Sequence, residues 1–204
     1  MKAIIFDMGG VLVDLDLDAC RNAFKHGLGF DEIDQALDPC HQKGVIGDME
    51  CGLITADQFR DYVIERSKPG VTADEVDAAF NTILSGIAPY KVDMLRSLAR
   101  NYDLYMLSNN NPIASKRAAE MFQEAGFGMD DGFKKCYISY QMKMIKPSAE
   151  FYKAVMSDIG LPASEMVFID DSQHNVDAAN AAGLPAVYYR PGDDLVKLME
   201  SILR

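Results

Sequence analysis

The chain begins with a short apolar run, Ala3-Ile4-Ile5-Phe6, that stops at Asp7 and is followed by Gly9 and Gly10. An unbroken apolar run closed by a carboxylate and glycines is the pattern of a strand buried on both faces, delivering a side chain to the carboxyl edge of a parallel sheet. From about residue 20 to residue 87 the period changes. Apolar residues recur at spacings of three and four, as at Phe59, Tyr62 and Val63 and again at Val76, Ala79, Phe80 and Ile83, which predicts helices. Thr55 with Gln58 and Thr72 with Glu75 have capping-box spacing and mark two helix starts, with Lys68-Pro69-Gly70 as the break between them. The glycine-rich, polar segment from Gly44 to Gly52 is expected to be an exposed connection between helices, where a helical lid could touch a substrate.

After Ala88-Pro89 helical and strand patterns alternate. An amphipathic stretch over 92–98 precedes a short apolar run, 103–107, that ends in Ser108-Asn109-Asn110-Asn111. A helix through Phe122, a strand near Cys136, a helix over 148–159 and a strand over 166–169 ending in Asp170-Asp171 follow. A further helix stops at Gly183, and a last strand lies near 186–189. Such alternation predicts an α/β chain: a Rossmann-like, three-layer parallel-sheet core of residues 1–15 and 88–204, with an α-helical bundle of residues 16–87 inserted after the first strand.

The length, 204 residues, suits one domain carrying an insertion. A net charge of −11 argues against a general affinity for nucleic acid or anionic membranes, which need a basic surface. Cys20, Cys40, Cys51 and Cys136 form no CxxC pair and have no histidine at zinc-site spacing, so they read as free thiols of a reducing compartment. The opening apolar run is too short for a signal peptide and no stretch approaches a membrane span, so a cytoplasmic protein is expected. Asp14, Asp16 and Asp18 alternate like the start of a calcium loop, but Ala19 stands where the turn needs glycine and Lys25 where a bidentate glutamate belongs. Gly27-Leu28-Gly29 follows a helical pattern and not a strand, so it is no dinucleotide fingerprint.

All strands of a parallel sheet open onto one edge at their carboxyl ends, so Asp7, Ser108-Asn109 and Asp170-Asp171 should meet, with Lys146 able to join them before a helix. Carboxylates gathered at one point need a cation, and hard oxygen ligands favour magnesium. A hydroxyl, an amide and a lysine beside them are what the oxygens of a phosphoryl group require.

In these four stretches, in this order, the chain resembles the haloacid dehalogenase superfamily of aspartate-nucleophile hydrolases. Asp7 matches the nucleophile, Ser108 the second motif, Lys146 the third and Asp170-Asp171 the fourth, and the helical block matches the superfamily's inserted cap. The resemblance implies a phosphatase that forms an aspartyl-phosphate on Asp7 and then hydrolyses it. It implies Mg2+ held by Asp7, the backbone carbonyl of Gly9 and Asp171, with Asp170 nearby or acting through water. Ser108, Asn109 and Gly10 would bind the phosphate, and Lys146 would offset its charge and keep Asp7 ionised. Two positions depart from the pattern. Gly9 stands where the phosphatases usually carry an acid/base aspartate, a feature shared with a subgroup of bacterial sugar-phosphate (glucose 1-phosphate-type) phosphatases. Asn175 replaces a further aspartate, and outer hydrogen bonding is expected of it. The implied substrate is a small phosphorylated metabolite of the sugar-phosphate kind. A metal-independent 2-haloacid dehalogenase and a non-catalytic phosphate-binding relative stand as alternatives. His26, His41 and His174 receive no role, and oligomeric state is not legible.

Overall fold

The computed structural model describes residues 1–37 and 44–203. Five parallel strands form the main sheet: β1 (Ala3–Phe6), β4 (Asp103–Ser108), β5 (Lys135–Ile138), β6 (Met166–Asp170) and β7 (Ala186–Tyr188), in the order β5-β4-β1-β6-β7. The first strand is therefore the middle of the sheet. Its register sets Ile4 beside Leu104 and Val167, and Ile5 beside Tyr105 and Phe168. Successive side chains leave a strand on opposite faces. Ile4 and Phe6 accordingly pack with Met106, Leu104, Val167 and Ile169 on one face, while Ala3 and Ile5 pack with Leu107, Met166 and Phe168 on the other.

Helices cover both faces. α6 (Pro89–Leu98), α7 (Pro112–Glu124) and α12 (Leu195–Ile202) supply Leu95, Phe122 and Met199 to the first face. α10 (Ala149–Ile159) and α11 (Gln173–Ala182) supply Phe151, Val155 and Ala179 to the second. Full burial of a side chain such as Phe6 or Ile5 stabilises by about 1.5–3 kcal/mol, which is why β1 carries no polar alternation. Two single-turn helices, α8 (Met129–Gly132) and α9 (Ser139–Met142), flank β5.

Between β1 and α6 the described residues form a two-stranded antiparallel ribbon, β2 (Asp14–Leu15) with β3 (Leu84–Gly86), and the helices α1 (Leu17–Asn22), α2 (Ile33–Ala36), α3 (Gly44–Glu50), α4 (Ala56–Glu65) and α5 (Ala73–Asn81). A π-helical stretch, Ala23–Leu28, continues α1. These helices bury Phe24, Phe30, Phe59 and Phe80 in a second cluster, which Ile113 and Ala114 of α7 join, with Phe59 and Phe80 edge to face at 5.6 Å. Both capping boxes form: Thr55 and Gln58 exchange hydrogen bonds at the start of α4, and Thr72 and Glu75 do so at the start of α5. Asp16 is not part of a calcium loop; its carboxylate caps α1 through the N–H of Ala19.

One expectation is overturned here. Residues 44–50 form α3 and not an exposed connection, and Ile46, Gly47, Met49 and Glu50 are buried. The apolar residues Val45, Ile46 and Met49 outweigh the cost of Gly47 because tertiary packing, more than intrinsic propensity, stabilises short helices. Cys20, Cys51 and Cys136 are free thiols; Cys40 and His41 lie outside the described residues. Among the described residues no helix is long and apolar enough to cross a membrane.

Candidate active site

The carboxyl ends of β1, β4 and β6 meet over one cavity of about 340 Å³. Asp7 follows β1 directly, and its N–H donates to the Ile169 carbonyl at 2.8 Å, which extends the pairing with β6 and fixes where the side chain leaves the sheet. The chain then turns sharply, with Leu12 and Val13 donating backbone N–H groups to the Met8 carbonyl. Within that turn Gly10 has φ +73°, in the left-handed region that favours glycine, and a Cβ there would lie 2.0 Å from Asp171 Oδ2. The turn and the Asp171 carboxylate thus occupy adjoining space, and only a residue without a side chain fits between them.

Lys146 Nζ lies 2.8 Å from Asp7 Oδ2 and 2.7 Å from Asp170 Oδ2, and all three residues are buried. Asp170 is fully engaged: its carboxylate also accepts from the Ser172 N–H at 2.8 Å and from Asn175 Nδ2 at 3.0 and 3.2 Å. Asn175 thus holds the carboxylate that pairs with Lys146. Asp171 is less buried and faces the cavity. One oxygen each from Asp7, Asp170 and Asp171 lie within 4.8 Å of one another.

Electrostatics in this group are one-sided. Burial pushes the Asp7 carboxyl up; the Lys146 ammonium opposes this, and Asp170 and Asp171 add to it. Burial and then Asp170 push Asp171 up to about 6 against the pull of Lys146. Burial would lower Lys146, but Asp170 and Asp7 outweigh it and hold the ammonium above its ordinary range. Three carboxylates share one ammonium, leaving two negative charges uncompensated in a poorly solvated place. A divalent cation with a preference for oxygen ligands fits that deficit, so the residues present suit Mg2+.

The second motif is arranged differently from the expectation. Ser108 ends β4 and lines the cavity, and among the described residues its hydroxyl makes only a long 3.4 Å contact to the Asn109 carbonyl. The Asn109 amide, expected to reach a phosphate, is held at both ends by the backbone of Lys146: Nδ2 donates to its carbonyl at 3.0 Å and Oδ1 accepts from its N–H at 2.8 Å. Asn109 therefore sets the position of Lys146. Asn111 caps α7 by accepting from the Ile113 and Ala114 N–H groups. The run of three asparagines is thus largely spent on building the site.

The helices contribute the opposite wall. Leu37, Ile46, Phe80 and Ile83 line the cavity together with Leu15 and Leu84 of the ribbon, and among them stands one acid, Glu50 at the end of α3. Burial pushes Glu50 up to about 8, with Lys146 opposing and Asp7 adding. The only sign of Glu50 in the sequence is its place within the segment 44–52 that reads as a possible lid.

The model of the haloacid dehalogenase-like hydrolases matches residues 1–183. The D-ribitol-5-phosphate phosphatase of Bacteroides thetaiotaomicron is 32% identical over 195 residues, covering 95% of this chain and 94% of that protein. A HAD family enzyme from the same organism, crystallised with magnesium and inorganic phosphate, superposes with a TM-score of 0.89 at 38% identity, covering 97% of this chain and 98% of the other. A predicted HAD-like family hydrolase from Porphyromonas gingivalis superposes with a TM-score of 0.91 at 31% identity, over 100% and 98% of the two chains. The parallel sheet with Asp7 at the end of its central strand, and these matches along nearly the whole length, place the chain among the haloacid dehalogenase-like hydrolases.

Proposed function

We propose that this protein is a magnesium-dependent phosphatase that cleaves the phosphate monoester of a small sugar or polyol through an aspartyl-phosphate on Asp7. The observation that carries this reading is the Asp7–Lys146–Asp170 group with Asp171 beside it, a nucleophile and a charge deficit at one sheet edge. The similarity to a D-ribitol-5-phosphate phosphatase supports the substrate class. A cavity of about 340 Å³ lies at the low end for ligand sites and suits a compact ester.

In this reading a carboxylate oxygen of Asp7 attacks phosphorus as the bond to the leaving oxygen breaks. Water then attacks the phosphorus of the acyl phosphate, releasing inorganic phosphate and restoring Asp7. Lys146 favours the ionised form of Asp7 and balances the phosphate oxygens, while Asp170, Asn175 and Asn109 hold Lys146 in place. The Ser108 hydroxyl turns to a phosphate oxygen. Asp7, Asp171 and the Gly9 carbonyl would hold Mg2+, which when bound supplies positive charge to those oxygens. The helices 17–81 act as a cap whose apolar wall excludes water from the acyl phosphate.

The test is phosphate release from a panel of monoesters that includes ribitol 5-phosphate, with Mg2+ and with chelator. Release is expected only with Mg2+, and Asp7→Asn should lower it at least about a thousand-fold. Halide release from 2-haloacids that survives chelation would replace this reading with the dehalogenase one.

A further inference from the structure

The reaction above leaves one group without a source. The departing alkoxide of a sugar or polyol ester needs a proton, and the position two residues after Asp7 is Gly9, which has no acid to give. The site contains another candidate. Glu50 is 6% exposed, lines the same cavity as Asp7, Gly9 and Lys146, and its Oε2 has no hydrogen-bond partner among the described residues. An acid that is buried without a paired cation keeps its proton, because the ionised form would lose its hydration with nothing in return.

The placement of Glu50 is built, not incidental. The Ser139 hydroxyl, at the end of β5, donates to the Glu50 carbonyl at 2.7 Å and accepts from the Asn110 N–H at 3.0 Å. Gly52, two residues on, has φ +68° and comes so close to the Tyr140 carbonyl that a Cβ would lie 2.5 Å from it. The end of α3 is therefore fastened to the loops that follow β4 and β5, at the edge where phosphate is handled. The other helix-derived residues on this wall, Leu37, Ile46, Phe80 and Ile83, cannot donate a proton.

We propose that Glu50 is the general acid of this enzyme, supplying from the helical insertion the proton that Gly9 cannot. The inference rests on the phosphatase reading. In the first step the Glu50 carboxyl proton passes to the leaving oxygen as its bond to phosphorus breaks, giving a neutral alcohol and the Glu50 carboxylate. In the second step water hydrolyses the acyl phosphate, and the Glu50 carboxylate regains its proton from solvent before the next turnover.

The test compares two esters in the Mg2+ enzyme. Ribitol 5-phosphate leaves as an alkoxide that needs the proton, whereas p-nitrophenyl phosphate leaves as a stable phenolate that does not. Glu50→Gln is expected to lower kcat for ribitol 5-phosphate by about 10²–10⁴-fold and to change p-nitrophenyl phosphate turnover by only a few fold. The retained aryl activity also shows that the variant is folded. Adding Gly9→Asp to Glu50→Gln should restore part of the alkyl activity, since the atoms nearest a Cβ at Gly9 belong to the flexible Leu15 side chain, from 3.1 Å. Equal losses on both esters, or a raised KM with unchanged kcat, would overturn the assignment in favour of positioning or hydroxyl binding. No release from either ester by the wild type would instead overturn the phosphatase reading on which it rests.

Discussion

Gly10 and Asp171 show how narrowly single residues are constrained here. A methyl group at position 10 would overlap the carboxylate that faces the cavity, and the backbone there is left-handed. Gly10→Ala is expected to raise the Mg2+ concentration for half-maximal activity at least about tenfold and to cost about 1 kcal/mol or more of stability. A Mg2+ titration of phosphate release, together with thermal unfolding of the variant, checks both. Glu50 gives a second prediction at this scale, through pH. Its folded value, about 8, lies above the ordinary 4.5, so between those limits the folded protein binds a proton that the unfolded chain has released. This contribution to stability is complete below the lower value and declines as pH rises through the upper one. Glu50→Gln removes the titration, so its melting temperature relative to wild type should climb between pH 5 and pH 8; a constant difference would contradict the assignment of a buried, raised carboxyl.

At the scale of elements, the site depends on α3 and on the ends of β4 and β5 staying together. Ser139→Ala would leave the Glu50 carbonyl and the Asn110 N–H without their shared partner, at a cost of about 1–3 kcal/mol. Denaturant unfolding should show that loss, and turnover of alkyl esters should fall more than that of aryl esters. What could be read from sequence divides along the same line. Asp7, Ser108 and Asp170-Asp171 were legible because each closes an apolar strand run, and a parallel sheet brings such ends together. α3 was not, because Gly44, Gly47 and Gly52 resemble loop punctuation, and the burial that makes 44–50 helical comes from residues distant in the chain. Asn109 lies at the sheet edge where its position after an apolar run puts it, but the partner of its side-chain amide is not legible there. Its bonds run to Lys146, and no local pattern reports a side-chain bond to a backbone so far along the chain.

For the whole molecule, the charge deficit left by Asp7, Asp170 and Asp171 makes the fold responsive to metal. Mg2+ that binds only the folded state should raise the melting temperature, by the equivalent of about 2.7 kcal/mol at a hundredfold excess over its dissociation constant. Differential scanning fluorimetry with and without chelator measures this, and Asp171→Asn should flatten the response. The sheet order has a further consequence, for how the chain is made. The strand synthesised first is the one in the middle, and Ala3 must wait for both Asp103 and Met166 before its two edges are closed. Until β6 emerges, β1 offers an open apolar edge to any other strand, and Lys146 has no Asp170 to neutralise it. A ribosome-bound chain stopped before Met166 should therefore be prone to pairing with the wrong strand, and Asp7, Asp170 and Asp171 come together only when the sheet closes.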